Sequence, residues 1–230
     1  MTAESPTPDV ADAAAPVDLD TVVREDTVRW LERAVIGLNL CPFAKGVHTK
    51  GQIHYAISHA SDDLGLLHDL ARELQDLVAT PAEQRDTTLL VAPYAFADFL
   101  DFNEFLDQAD ALLADLGLEG EIQIASFHPQ FQFDGTEADD ITNATNRAPY
   151  PTLHLLREDS LDEAVEAFPE AEMIFEKNMD TLEALGTAGW QALEVGPRCP
   201  VHALQAGAYA TSDALQAVAA PKKADPGTSA

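Results

Sequence analysis

The sequence has 230 residues, of which 46% are hydrophobic and 23% charged, so it can fold around one full core but is short for two large ones. Its 40 acidic residues far outnumber its 13 basic ones, which gives a formal net charge of −27 at pH 7. Because such a surface repels phosphate backbones and anionic lipid headgroups, we expect neither nucleic acid nor a membrane as a partner.

The sequence also predicts a cytoplasmic protein. Its first residues lack the basic and apolar regions of a secretory signal, and no apolar run approaches the ~20 residues of a membrane-spanning helix. The two cysteines, Cys41 and Cys199, lie far apart in the chain, and a disulfide between them is not expected in a reducing compartment.

Composition divides the chain into three parts. Residues 1–17 are rich in Ala, Pro and Asp and are predicted to form a disordered lead. Residues 18–193 carry periodic apolar patterns and are predicted to form a single globular domain. Residues 194–230 are rich in Ala, Gly and Pro and are predicted to form a flexible tail.

The first part of the domain predicts a helix, a strand and a second helix. The first helix is expected to begin near Asp18 or Asp20, which can cap it, and to stop or bend before Pro42. Alternating apolar residues predict a half-buried strand over 53–57, and Ser61 is expected to cap the helix that follows.

The middle of the domain predicts three further strands around one helix. The continuous apolar run Thr87–Ala92 is typical of a strand covered on both faces, so we place it inside the sheet. A helix is expected over about 97–116, with Gly117 as its left-handed C-cap. The other two strands begin at Ile122 and span Thr152–Arg157.

Two helices are predicted to complete the domain. Ser160 and Glu163 match a capping box for a short helix, and a final helix is expected to begin near Pro169. The resulting order, α-βαβαββ-αα, predicts an α/β (α+β) single-domain sandwich. Its small mixed four-stranded sheet should be packed by helices on at least one face.

A long segment without clear periodicity, Phe127 to Glu158, joins the last two predicted strands. It holds Arg147 and Arg157, the only arginines or lysines in a long acidic stretch of the chain. Irregular segments of about two dozen residues inside a compact domain usually serve a function. We therefore predict a ligand pocket under the loop formed by residues 128–151.

Arg147 is the predicted anion clamp of this pocket, because a guanidinium can bind a carboxylate or phosphate through two parallel hydrogen bonds. In an alternative interpretation, Arg147 pairs with one of the loop's own acidic residues and fixes the loop instead. The predicted ligand-binding residues are Asn146, Arg147, Tyr150, Arg157 and Lys45.

His128 and Cys41 are the predicted catalytic residues. His128 lies where a strand ends and is either a general acid or base, or a neutral, hydrogen-bonded anchor of the loop. Cys41 is expected to be inert if it only trails the first helix, whereas its pKa falls if Pro42 begins a new turn that Cys41 caps.

No metal site is predicted, and the cofactor stays unassigned. The histidines are spread over different elements, and Cys199 and His202 form an isolated pair in the tail. The acidic residues of the loop do not match a calcium loop. The chain also lacks the glycine-rich phosphate-binding motifs and the nucleophile motif of serine hydrolases.

Three blocks of sequence, Trp30–Gly46, Ala125–Phe133 and Thr145–Glu158, occur in uninterrupted order. Together they resemble the bacterial family catalogued as domain of unknown function 1415, over about residues 21–193. The resemblance implies that CPFA, FHP and NRxPYP are family hallmarks, which either belong to one site or determine the fold. It implies no reaction, cofactor or partner. The hallmark residues here are Cys41, Pro42, Phe43, His128, Pro129, Asn146, Arg147, Pro149, Tyr150 and Pro151.

Two classes of function are favoured by these patterns. The first is an enzyme or enzyme-like protein that acts on a small anionic metabolite. Arg147 would be its clamp, Asn146 would orient the ligand, His128 would be the acid or base, and Cys41 would be either the nucleophile or a supporting group beside the reacting residues. The second is a non-catalytic module that binds a ligand or another protein through the same loop. The sequence does not predict the oligomeric state.

Overall fold

The computed structural model describes residues 18–168 and 170–198. The predicted lead at 1–17 lies outside the described residues, and so do Pro169, the tail from residue 199 onwards, and with it Cys199 and His202. The account below concerns the described residues alone.

Four strands form one mixed sheet, as the sequence predicted. They are β1 (Ile53–Ile57), β2 (Thr87–Val91), β3 (Ile122–Phe127) and β4 (Thr152–Arg157), and their order in the sheet is β1-β2-β4-β3. β1 and β2 are parallel, whereas β4 runs antiparallel to both of its neighbours. Every residue of β2 is buried, which confirms its interior position and explains its continuous apolar run.

Helices flank this sheet. They are α1 (Leu19–Trp30), α2 (Ala44–Thr49), α3 (Asp63–Ala79), α4 (Phe99–Asp115), α5 (Glu158–Glu166) and α6 (Ile174–Ala192). α1 continues directly into a π-helix at Leu31–Ile36, and short 3₁₀ segments occur at Ile141–Asn146 and Ala171–Met173. The sequence patterns did not predict α2 or the π-helix. None of the described helices combines the length and apolar composition needed to cross a membrane.

Two predicted helix starts were wrong. α3 is capped by Asp62 and not by Ser61, because the Asp62 carboxylate accepts a hydrogen bond from the backbone N–H of Gly65 at 2.8 Å. α5 begins at Glu158, so Ser160 lies inside the helix and cannot cap it. The Ser160 hydroxyl instead donates to the Asp86 carboxylate at 2.6 Å, which ties α5 to the start of β2.

Each face of the sheet has its own apolar core, and the α/β fold class is thereby confirmed. α3 and α4 cover one face, where their leucines and phenylalanines pack against Leu90, Leu153 and Leu155. α1 and the π-helix cover part of the other face, where Trp30 belongs to the same core as Leu89. Helices therefore lie on both faces, and the rest of the second face is left to α2 and α5.

The described chain continues five residues beyond residue 193, where the predicted domain ends. These residues run back along α1, and Val195 is buried in the core on that side of the sheet. The Arg29 guanidinium holds them by donating to the carbonyls of Glu194 at 2.8 Å and Gly196 at 2.9 Å. Arg198 donates to the buried carboxylate of Asp26.

Candidate functional site

A cavity of about 430 Å³ lies between the second face of the sheet and the helices above it. Its floor is made by side chains of all four strands, which are Ile53, Thr87, Leu89, Ala125, Phe127, His154 and Leu156. Its walls come from α1, the π-helix, the turn before α2, α2 itself and α5, and include Trp30, Leu31, Val35, Cys41, Phe43, Val47, Leu161 and Ala164. Most of this lining is apolar, which is typical of small-molecule sites.

Strand register explains why the cavity is there. Leu89, His154 and Ala125 are direct cross-strand neighbours, so their side chains form one row on the same face of the sheet. Ala125 ends this row with a side chain of a single methyl group, which leaves space that a larger residue would fill. The π-helix passes above, and such insertions are frequent at functional sites.

Helix α5 covers the cavity without being packed into a core. None of its residues is buried, although Leu161 and Ala164 face the cavity. Leu161 and Ala164 are half-buried and Val165 is 47% exposed, so other side chains cover α5 only in part. The side of α5 that carries Leu161 and Ala164 borders the open volume of the cavity.

His154 is the central polar group of the cavity floor, and its tautomer follows from its neighbours. The Thr87 hydroxyl lies 2.6 Å from the carbonyl oxygen of Leu155, which can only accept, so that hydroxyl donates to it. The Thr87 oxygen must then accept from His154 Nε2, at 2.7 Å. Nδ1 of His154 is left with a lone pair.

Among the described residues, no donor reaches His154 Nδ1. Although Nδ1 has no partner, it is not sealed inside the protein. Because His154 lines the cavity, this indicates that Nδ1 faces the cavity. Burial lowers the pKa of the imidazole from 6.5 to about 4, so the ring is neutral near pH 7. The floor thus presents one hydrogen-bond acceptor in apolar surroundings.

His154 makes the stability of the fold depend on pH. Between pH 6.5 and about pH 4 the unfolded chain binds a proton at this ring that the folded chain does not bind. The free energy of unfolding should therefore fall on acidification through this window, with a contribution from His154 of up to about 3 kcal/mol. Urea denaturation at several pH values should give a shallower pH dependence for His154→Gln than for the natural chain.

The exposed His68 provides the matched control for this experiment. His68→Gln removes a histidine that lies outside the cavity, so it should leave the contribution of His154 to the pH dependence of stability in place. Burial also lowers the pKa of His128. This effect contributes equally to the pH dependence of stability in the natural chain, His154→Gln and His68→Gln. Equal pH dependence of His154→Gln and the natural chain would contradict the prediction.

Cys41 lies in the wall of the cavity as a free thiol. A new turn does begin after it, since the Cys41 carbonyl accepts from the backbone N–H of Ala44, where α2 starts. The backbone N–H groups of Phe43 and Ala44 favour the thiolate, but burial outweighs them and raises the pKa of the thiol. The lower pKa of the capping alternative is therefore not found, and the sulfur is protonated at neutral pH.

His128 lies on the other side of the sheet, against α4. It is 1% exposed, and its ring packs between Phe99 and Phe102, with ring centroids at 5.5 and 5.4 Å. Nε2 donates to the carbonyl of Phe96 at 2.9 Å, and Nδ1 accepts from the backbone N–H of Gln130 at 3.0 Å. These are the contacts of a neutral loop anchor, because both ring nitrogens are occupied by backbone groups.

Arg147 and Asn146 are likewise engaged by backbone groups. The Arg147 guanidinium donates to the carbonyls of Phe131 at 3.1 Å and Ala138 at 2.7 Å. The Asn146 amide donates to the carbonyl of Ser126 at 3.2 Å. Arg147 thus fixes the loop through carbonyl oxygens, whereas the alternative interpretation expected an acidic side chain.

The remaining predicted ligand-binding residues are dispersed. Arg157 borders the cavity, but its guanidinium donates to the carbonyls of Leu77 and Thr80 at the end of α3. Tyr150 is fully buried elsewhere, and Lys45 is exposed and does not line the cavity. Of the predicted site residues, the cavity therefore brings together Cys41 and Arg157 alone.

The predicted loop 128–151 contributes no residue to this cavity. Asn143, which the sequence interpretation left out, holds the loop together from a fully buried position. Its side-chain oxygen accepts from the backbone N–H of Phe133 and the hydroxyl of Thr136, both at 2.9 Å, and its amide donates to the carbonyl of Glu137. The loop is a structured element whose polar groups satisfy each other.

From the sequence, His154 either faces the same side as Arg147 or is an ordinary residue of the strand, and it is not among the predicted site residues. The signal was a histidine between Leu153 and Leu155 in an apolar strand, which is also the pattern of an ordinary buried residue. Within residues 18–168 and 170–198, no three His, Cys, Asp or Glu side chains are grouped to hold a metal ion.

Comparison with known proteins identifies a family but no activity. No curated protein and no solved structure matches the chain. The family model described as a protein of unknown function (DUF1415) matches residues 22–192, which is most of the chain and agrees with the resemblance seen in the three sequence blocks. The chain belongs to the DUF1415 family.

Proposed function

We propose that this protein binds a small, largely apolar molecule in the cavity between the sheet and helix α5. The cavity volume of about 430 Å³ falls in the range of small-molecule sites, about 300–1,000 Å³. Its polar groups are few, as in most sites that bind a ligand through apolar contact and orient it through one or two hydrogen bonds.

The observation that carries this proposal is the position of α5. An amphipathic helix normally buries its apolar side against other side chains, which contributes about 25 cal/mol per Å² of apolar surface removed from water. The apolar side of α5 faces open volume, and none of its residues is buried. A bound apolar molecule would complete this packing. The apolar surface of α5 that becomes buried on binding would then contribute part of the binding free energy.

Binding without covalent chemistry is supported by the state of the two reactive groups. Burial raises the pKa of the Cys41 thiol, and only the thiolate is an effective nucleophile. The imidazole of His154, with a pKa of about 4, is a weak base near pH 7. The non-catalytic ligand-binding alternative is therefore favoured over the enzyme.

A neutral ligand is also favoured over the anionic metabolite that the sequence suggested. The proposed clamp, Arg147, already binds two backbone carbonyls, and Arg157 binds the end of α3. The net charge of −27 repels anions at long range. Nucleic acid and membranes remain disfavoured partners on the same electrostatic grounds.

A fluorescence titration tests the proposal directly. N-phenyl-1-naphthylamine is a neutral apolar dye that becomes fluorescent when it leaves water. We expect saturable binding with one site per chain, accompanied by quenching of Trp30, which lines the cavity. The quenching should persist in Trp190→Phe, where Trp30 is the only tryptophan that remains. A dye signal that never saturates, or that leaves Trp30 unchanged, would refute this function.

A further inference from the structure

The geometry points to a specific ligand chemistry in this cavity, an inference that rests on the proposed function. We infer that the site selects neutral, mostly apolar molecules that carry an O–H or N–H group, and that this group donates a hydrogen bond to Nδ1 of His154. Molecules that offer only acceptors, or that carry a negative charge, are discriminated against.

The first step is that the acceptor is fixed. Reversing the tautomer would place a hydrogen on Nδ1 and leave Nε2 as an acceptor facing Thr87. The single hydrogen of the Thr87 hydroxyl would then have to leave the carbonyl of Leu155, which lies 2.6 Å away. Two oxygens at that separation repel without a hydrogen between them, so the Thr87 contacts hold the lone pair on Nδ1.

The second step is that this acceptor has little competition. On the floor of the cavity its cross-strand neighbours, Leu89 and Ala125, are both apolar. Asp86, at the edge of the cavity, already accepts from the Ser160 hydroxyl at 2.6 Å. A ligand that reaches the floor therefore meets one unpartnered acceptor there, and a donor is the group that satisfies it.

The third step is the rejection of acceptors and anions. A carboxylate or ether oxygen placed against Nδ1 would bring one of its lone pairs against the lone pair of Nδ1, and the two would repel each other. A charged oxygen would in addition lose its hydration among apolar side chains, which is costly without a compensating hydrogen bond. Lys50 lines the cavity but is itself exposed to water, so it offers little compensation at the floor.

Matched ligands test the selection in the natural chain. 4-Ethylphenol carries the donor, 4-ethylanisole replaces its hydrogen with a methyl group, and 4-ethylbenzoate is an anion near pH 7. All three are compared by their ability to displace N-phenyl-1-naphthylamine. We expect 4-ethylphenol to be about tenfold more effective than 4-ethylanisole. 4-Ethylbenzoate should be the weakest competitor.

The variant His154→Phe separates the hydrogen bond from general hydrophobicity. It keeps an aromatic ring in the floor, and the preference for 4-ethylphenol over 4-ethylanisole, taken as the ratio of their competition constants in the same variant, should fall by about tenfold. Thr87→Val is a second, nearly isosteric variant that frees the tautomer, and it should also reduce this preference.

The outcomes distinguish a failure of this inference from a failure of the proposed binding function. If the dye binds but 4-ethylphenol has no advantage in the natural chain, or if both variants keep the natural preference, the inference is overturned and the binding function stands. If the dye does not bind to the natural chain, the binding function itself fails. A lost preference in either folded variant supports the role of His154.

Discussion

Ala125→Trp is expected to weaken the binding of N-phenyl-1-naphthylamine by at least about 100-fold, which corresponds to about 2.7 kcal/mol. Ala125 lies on the cavity floor beside His154, and its methyl group faces the open volume. An indole at this position would occupy the space that the dye requires. The change is measured by the same fluorescence titration that tests the proposed function.

The substituted protein should remain folded. The new side chain enters an existing cavity lined by apolar residues, and filling a cavity commonly stabilises a protein by about 0.5–2 kcal/mol. The melting temperature should therefore stay the same or rise. This combination of stability kept and binding lost is the signature of a blocked site, because a damaged fold would lose both.

Gln123→Trp is the matched control for Ala125→Trp. Gln123 precedes Ala125 by two residues on β3, so its side chain points to the same face of the sheet, but it is exposed and does not line the cavity. The control should bind the dye as the natural chain does. Equal binding by both tryptophan variants would show that the dye occupies another place.

Asp26→Ala is expected to lower the free energy of unfolding by about 3–5 kcal/mol, the usual result of breaking a buried charged pair from one side. The carboxylate of Asp26 is fully buried. It accepts from the Tyr150 hydroxyl at 2.8 Å and from Arg198 through the backbone N–H at 2.8 Å and Nε at 2.6 Å. Nη1 of Arg29 adds a fourth contact at 2.8 Å.

This carboxylate joins three parts of the chain that are far apart in sequence. α1 carries it, Tyr150 belongs to the segment before β4, and Arg198 ends the described chain. Without it, the buried hydroxyl of Tyr150 loses this charged acceptor, and such hydrogen bonds contribute about 1.5–3 kcal/mol. Arg198, which follows α6, would lose its two hydrogen bonds to Asp26 as well.

Glu25→Ala is the control for the Asp26 prediction. Glu25 is the neighbouring acidic residue, and it also accepts from Arg198, at 2.7 Å, but its side chain is 57% exposed. Exposed ion pairs contribute about 0–1 kcal/mol, so the loss should be small. Urea denaturation gives both values, and a loss for Asp26→Ala no larger than for Glu25→Ala would contradict the proposed role of the buried carboxylate.

Local sequence patterns predicted the sheet and most of the helices correctly. The buried run that became β2 and the left-handed Gly117 after α4 depend on near neighbours in the chain, which is why they can be read from sequence. The π-helix and α2 have no such pattern.

The sequence did not show how the polar residues of the predicted site are engaged, for a reason that His128 and Arg147 illustrate. Their partners are carbonyls and N–H groups of the backbone, which every residue carries, so composition does not reveal whether a polar side chain is satisfied. Both are polar residues in an irregular loop, a pattern that a binding site and a self-supporting loop share. The loop uses them to hold its own shape.

The sequence by itself determined the family, the strands and helices, and an acidic composition that disfavours anionic partners. The tertiary structure alone decided the cavity, because its floor needs Thr87, Ala125 and His154 as neighbours, and strand register brings them together. It also decided the chemistry of the site. Burial keeps the Cys41 thiol protonated and His154 neutral, and burial is a property of the folded chain as a whole.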